Sequence, residues 1–216
     1  MSLQQWIPQM AVGCLLTLKL FFITIVFSMP LGLVLTFLYT SKNKAVSAII
    51  SFYILIMRGT PLLLQIFFVY FGLPYVPGIG KYLTINDRFT AGAVAFILNY
   101  AAYFAEIFRG GLLSVDVGQY EAAKVLGLTD MQTRTHIVLP QMFRISLPAI
   151  SNEAIILIKD TALITAIGLS DLLKVTKTIV NKTTNISAFV VAAVFYLIMS
   201  YILTLVFKLL ERKFSF

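Results

Sequence analysis

Apolar residues come in long blocks along this chain, separated by short polar punctuation. Within the blocks, polar residues are too sparse to mark one face of a helix or the alternation of a strand. Residues 20–41, 59–80 and 183–207 contain no charged residue at all. A hydrocarbon core about 30 Å thick is crossed by about 20 apolar helical residues, so each of these runs has the length of a membrane span. Two further blocks, residues 89–113 and 137–159, have the length but carry internal charges. The pattern predicts five spans, over about residues 12–40, 45–74, 89–113, 137–159 and 187–207. The stretch TALITAIGLSDLL (161–173) is apolar but too short to cross, and reads as interfacial or re-entrant. No repeat and no second domain breaks the pattern, so residues 1–216 read as a single transmembrane domain.

Composition strengthens this picture and removes alternatives. Of 216 residues, 59% are hydrophobic and only 12% charged, about half the charged share of a soluble domain. Mean hydropathy is +0.92. The net charge of +8 does not point to nucleic acid, because the basic residues lie mainly between the apolar blocks. A lone Cys14 in an apolar run implies no disulfide framework. No basic region precedes Lys19 and no small-residue cleavage pattern follows, so no removable signal peptide is expected. With five spans and the loop around Glu121 in the cytoplasm, nine basic residues (Lys42, Lys44, Arg109, Lys124, Arg134, Arg144, Lys208, Arg212, Lys213) fall on the inner side. Five (Lys81, Arg88, Lys174, Lys177, Lys182) fall on the outer side. The positive-inside rule then places the N-terminus outside and the C-terminus in the cytoplasm of a multi-pass cell-membrane protein.

One segment departs from the hydrocarbon pattern: EAAKVLGLTDMQTRTHIVLP, residues 121–140. Helix formers run to Leu126, and Gly127 suits a left-handed helix stop. Thr129 followed by Gln132 fits a capping box that starts a second helix. The sequence predicts a short polar helix over about residues 118–128, a tight turn and a new helix entering the fourth span.

The spacing within this segment is Glu-Ala-Ala, three residues, Gly127, nine residues and Ile-Val-Leu-Pro. It closely resembles the EAA motif of ABC importer permeases. MRGTPLLLQIFFVYFGLP (57–74), NYAAYFAEIFRGGLLSV (99–115) and NEAIILIKDTALITAIGLSDLL (152–173) resemble the polar amino-acid branch of the same family, and together the matches cover most of the chain. The resemblance implies an all-α integral membrane fold of the type I importer kind, with five transmembrane helices and a cytoplasmic coupling helix. It implies that residues after Asp160 form a short gate-like helix. Glu121, Ala122 and Gly127 would meet an ATP-hydrolysing subunit. The implied partners are two ATP-binding subunits, a second permease copy or paralogue, an extracytoplasmic solute-binding protein, the amino-acid substrate and membrane lipid. The chain has no GxxxxGK[ST] loop, so ATP and magnesium belong to a partner chain and no cofactor is expected on this one. A secondary transporter or channel subunit working without an ATPase is the alternative, but it needs no EAA helix. An intramembrane enzyme is disfavoured: His136 is the only histidine, there is no GxSxG elbow, and neither catalytic nor metal-binding residues are expected.

Charges inside a span cost at least about 2.5–3.5 kcal/mol each on insertion scales, so each one calls for a reason. Glu106 and Arg109 are three apart and read as a structural ion pair; Asn99, Tyr103 and Glu106 share a face that alternatively borders the path. Arg58 precedes Gly59-Thr60-Pro61, where Pro61 deprives the Met57 carbonyl of its helical donor. A broken helix at membrane depth is tolerated where it lines a cavity or is buried in protein. Arg58 beside it serves either as an anchor for a substrate carboxylate or as a packing charge neutralised by Glu153. Glu153 and Asp160, seven apart, share a stripe that would favour a cationic group, with Lys159 available to neutralise Asp160. The substrate-binding set expected on these grounds is Arg58, Thr60, Asn99, Glu153 and Asp160.

Overall fold

The structure, a computed structural model, describes residues 3–214, and no strand occurs among them. Ten α-helices follow in chain order: α1 Leu3–Tyr39, α2 Lys44–Gly59, α3 Leu62–Phe67, α4 Gly80–Leu83, α5 Arg88–Leu113, α6 Val117–Val125, α7 Asp130–Gln132, α8 Leu139–Asp160, α9 Leu172–Thr183 and α10 Ser187–Phe214. Polar residues between the apolar blocks start most of the later ones. Asn43 Oδ1 accepts from the N–H groups of Ala45 and Val46, and Asp116 Oδ1 from Gly118. Asp171 accepts from Leu173 and Lys174. Asp87 starts α5: the hydroxyl and backbone N–H of Thr90 donate to it at 2.6 and 2.7 Å, holding its carboxyl below the usual carboxylate range.

α5 is the core of the bundle. In its most apolar window 67% of residues are buried, against 11% for α10, so α10 keeps its apolar surface for lipid or a partner. α5 is rich in alanine, which lets other helices come close. α1 crosses it at Gly32, where an added Cβ would stand 2.7 Å from Phe104 Cβ and 3.0 Å from the Ala101 carbonyl. Small residues drive helix packing in lipid because van der Waals contact replaces the missing hydrophobic force. Thr36, one turn on, donates its hydroxyl to the carbonyl of Ala105 at 3.0 Å and ties the same crossing.

The break expected at Pro61 is present: α2 and the stretch Leu62–Tyr75 meet at 107° across it. The expected five spans are not all separately apolar. Among the described residues, three helices (α1, α5, α10) are long and apolar enough to cross a bilayer, and the bent pair makes a fourth. α8, at 22 residues and about 33 Å, has the length but carries Arg144, Glu153, Lys159 and Asp160. Directly after Asp160 a short helix does follow, a 3₁₀ run over Thr161–Ile167 that ends at Gly168 with φ of +85°, and α9 begins beyond it. The 3₁₀ run packs on α5, where Gly92 leaves room for Ile164. The predicted helix–turn–helix of the polar segment is present. After α7, a π-helical stretch at Thr133–Val138 absorbs Pro140, which cannot donate to His136, before the chain continues into α8.

Candidate functional site

The break at Pro61 organises the centre of the molecule. The Met57 carbonyl receives no bond from Pro61, and two side chains supply what the backbone lacks. Asn99 Nδ2, on α5, donates to it at 2.9 Å, and Gln65 Nε2 at 2.9 Å. The two amides are themselves joined, Asn99 Nδ2 to Gln65 Oε1 at 2.9 Å, and Gln65 Nε2 also reaches Thr60 Oγ1 at 2.8 Å. Asn99 is only 4% exposed, so its NH₂ group is committed to this clamp. Gln65 escaped the sequence reading. The signal was present, as an amide four residues after a helix-breaking proline in an otherwise apolar run.

The clamp holds open a cavity of about 540 Å³. All five expected residues line it: Arg58 and Thr60 from the broken span, Asn99 from α5, and Glu153 and Asp160 from α8. Tyr103, one turn beyond Asn99 on the same face of α5, and the adjacent Tyr100 join them. Arg58 lies beyond ion-pair distance of Glu153, although its charge still acts on that carboxylate across the cavity. Its ion-pair partner is Glu106, at 4.0 Å, and it lies over the Tyr103 ring, 5.4 Å from the centroid. At that distance, with 45% of its side chain exposed, the guanidinium keeps donors for another acceptor. Glu106 is instead held by Arg109, at 2.7 and 2.9 Å, which makes that pair the structural one. Asp160 accepts from the Tyr100 hydroxyl at 2.8 Å. Lys159 does not reach it; it turns to a separate groove beside Tyr196 and Leu197. Among the described residues Glu153 accepts no hydrogen bond and forms no ion pair within 4.0 Å. The cavity therefore has a cation at one wall and two carboxylates at another, one of them unpartnered.

The polar segment is a second structured feature. α6 ends in a Schellman arrangement: the N–H of Leu128 bonds the Ala123 carbonyl and that of Gly127 the Lys124 carbonyl, both at 3.0 Å, with Gly127 at φ +72°. Thr129 and Gln132 close the capping box. Ala123 is 2% exposed and anchors α6, and Gln141 Nε2 donates to Gln119 at 3.0 Å across to α8. Glu121, Ala122 and Gly127 all face outward. Val125 and Leu126, given no role by the motif, are 87% and 77% exposed, so an apolar tip stands free beside them.

Residues 28–216 match the family described as the binding-protein-dependent transport system inner membrane component. The chain belongs to that family: it is the membrane permease component of a transport system, not an enzyme, and the reading as a stand-alone secondary transporter or channel is set aside. It is 37% identical over 202 residues to a Rickettsia bellii permease protein named for glutamine transport, covering 93% of this chain and 90% of that one. It is 38% identical over 208 residues to the arginine transport system permease protein ArtQ of Bacillus subtilis, covering 96% and 93%. A crystal structure of an amino acid ABC transporter with histidines superposes with a TM-score of 0.88 at 32% identity, covering 98% of this chain and 97% of that one.

If the clamp keeps the broken span in place, Asn99→Leu leaves the Met57 carbonyl half-supplied and lowers stability by about 1–3 kcal/mol. Tyr103→Phe, which removes no hydrogen bond made among the described residues, leaves it unchanged. The thermal midpoints of the purified variants decide: equal midpoints would show that the break holds without Asn99.

Proposed function

We propose that this chain is the membrane subunit of an ATP-driven importer of amino acids. It works as a dimer with a second copy or paralogue, two ATP-binding subunits and an extracytoplasmic solute-binding protein, and basic amino acids are preferred. Relatives named for glutamine and arginine, and a structural neighbour that is an amino acid transporter, support the amino-acid class. The observation that carries the substrate preference is Glu153, an acid facing the cavity with no partner of its own. Arg58 offers forked donors suited to a carboxylate. Thr60 borders it. Asn99 shapes the wall through its clamp rather than through free donors. Glu153 and Asp160 then face the ammonium or a basic side chain. Arginine, lysine or histidine fits best, glutamine or another neutral polar amino acid next, and an acidic substrate worst. In Glu153→Gln, uptake affinity for labelled arginine should fall by about 10²-fold, the scale of one lost charge contact. ATPase stimulation should persist. Full arginine uptake by this variant would make Glu153 a packing residue and end the basic preference.

Coupling is assigned to Glu121, Ala122 and Gly127. Within this chain a Cβ at Gly127 meets no atom within 4 Å, so a side chain there costs only the strain of its positive φ. Gly127→Asp and Glu121→Lys should therefore leave the protein folded yet uncouple uptake from ATP hydrolysis at least tenfold. Normal ATP-driven uptake by either variant would remove α6 from the coupling path.

The proposed arrangement has five crossings, N-terminus outside, C-terminus and α6 in the cytoplasm, with ATP and magnesium held by the partner. In a Cys14→Ala background a cysteine at Thr129 should react with a membrane-impermeant maleimide only from the cytoplasmic side. A cysteine at Gly78, in the loop before α4, should react only from outside. The reverse pattern would invert the orientation and with it the side on which an ATPase docks.

A further inference from the structure

A second cavity, about 450 Å³, lies where the bundle meets the coupling segment, between the ends of α1 and α5, α6 and the π-helical start of α8. Lys42 and Arg134 stand at it, with the hydroxyls of Ser41 and Tyr120, above apolar side chains such as Phe37 and Leu139. Both cations are exposed. Among the described residues neither has a carboxylate within 4.0 Å, because the ion pairs present are those of Glu106 with Arg58 and Arg109. Two unpaired cations beside hydroxyl donors select a phosphate-like anion. The apolar floor at the end of two spans adds a requirement that a free phosphate does not meet: the ligand must carry hydrocarbon into the bilayer boundary.

We infer that this cavity binds the headgroup of an anionic phospholipid from the leaflet on the α6 side, the phosphate against Lys42 and Arg134 and the upper acyl chain over Phe37 and Leu139. The inference depends on the membrane location, not on the substrate or the orientation proposed above. A lipid placed there touches the bundle and the coupling segment at once. It braces α6, whose own ties to α8 are few, and makes the importer's activity depend on the anionic lipid content of that leaflet.

The test uses the full chain purified in a zwitterionic detergent, titrated separately with phosphatidylglycerol, phosphatidylcholine and inorganic phosphate, and read by thermal midpoint and native mass spectrometry. At about 1 kcal/mol for each basic residue near the surface, phosphatidylglycerol should bind roughly ten- to thirtyfold more tightly than phosphatidylcholine. It alone should raise the midpoint. Lys42→Gln with Arg134→Gln should abolish that preference while keeping the midpoint in phosphatidylcholine, since both side chains are exposed. Lys177→Gln with Lys182→Gln, on α9, should keep it. The inference is overturned if the Lys42/Arg134 variant retains the preference, or if inorganic phosphate alone gives the same gain. It is overturned too if that variant loses ATPase co-purification with its lipid preference intact, which would give the two cations to the protein partner.

Discussion

A carbonyl without a donor at membrane depth is the constraint around which the centre of this protein is built. In water the Met57 carbonyl would find solvent; in a bilayer it must find protein. The sequence meets the demand with two amides, Asn99 and Gln65, that converge on one oxygen from two elements. Their convergence fixes the direction of α3 relative to α2 and pins the broken span to α5. The bend of 107° leaves room in front of it, so the cavity follows from the repair of the break.

The repair also explains why α5 is the buried helix. It must reach the break and the cavity with Asn99, Tyr100 and Tyr103 from one side, and α1 at Gly32 with Ala101, Phe104 and Ala105 from another. Alanines at 101, 102 and 105 make that closeness feasible, because in lipid helices associate through contact and hydrogen bonds rather than through exclusion of water. The charged residues follow the same logic. Glu106 and Arg109 satisfy each other on α5, and this leaves Arg58 with only a long contact to Glu106 and its guanidinium turned toward the cavity.

How much of this was legible in the sequence depends on the range of the interaction that decides each element. Local rules carried well. The Gly127 stop, the Thr129–Gln132 box and the orphaned Met57 carbonyl depend on neighbours a few residues away, and the chain announces them. Four of the five cavity residues were also legible, because an ionisable or amide side chain in a hydrocarbon run must face protein or water, and Thr60 follows from its place at the Pro61 break. What was not legible depends on distance in space. Arg58 had Glu153 as one possible partner and contacts Glu106, and Asp160 had Lys159 as one possible partner and accepts from Tyr100. Spacing along one helix says which residues share its face, not which residue of another helix lies opposite. The number of spans is a different case: α8 trades apolarity for cavity charges, so an apolar pattern alone underweights the helix that lines the cavity.

The two structured features stand in a definite mechanical relation. α8 carries Glu153 and Asp160 at the cavity and continues, through the π-helical stretch and α7, to the turn that ends α6. Displacement of α6 by a docked partner therefore has a continuous helical route to two of the cavity's carboxylates. Two irregularities lie along it: the widened turn ahead of Pro140, where i→i+5 bonding replaces the α-helical pattern, and Pro148 within α8, which has no N–H to give the Arg144 carbonyl. A π-turn is where a helix most readily changes its pitch without losing a bond altogether. Arg58 and the clamp belong to the other wall, attached to α5. A shift transmitted along α8 would thus move the acids relative to the cation on the opposite wall of the cavity. The Asn99–Gln65 clamp ties one wall to α5, whereas the other wall belongs to the helix that runs on to α6.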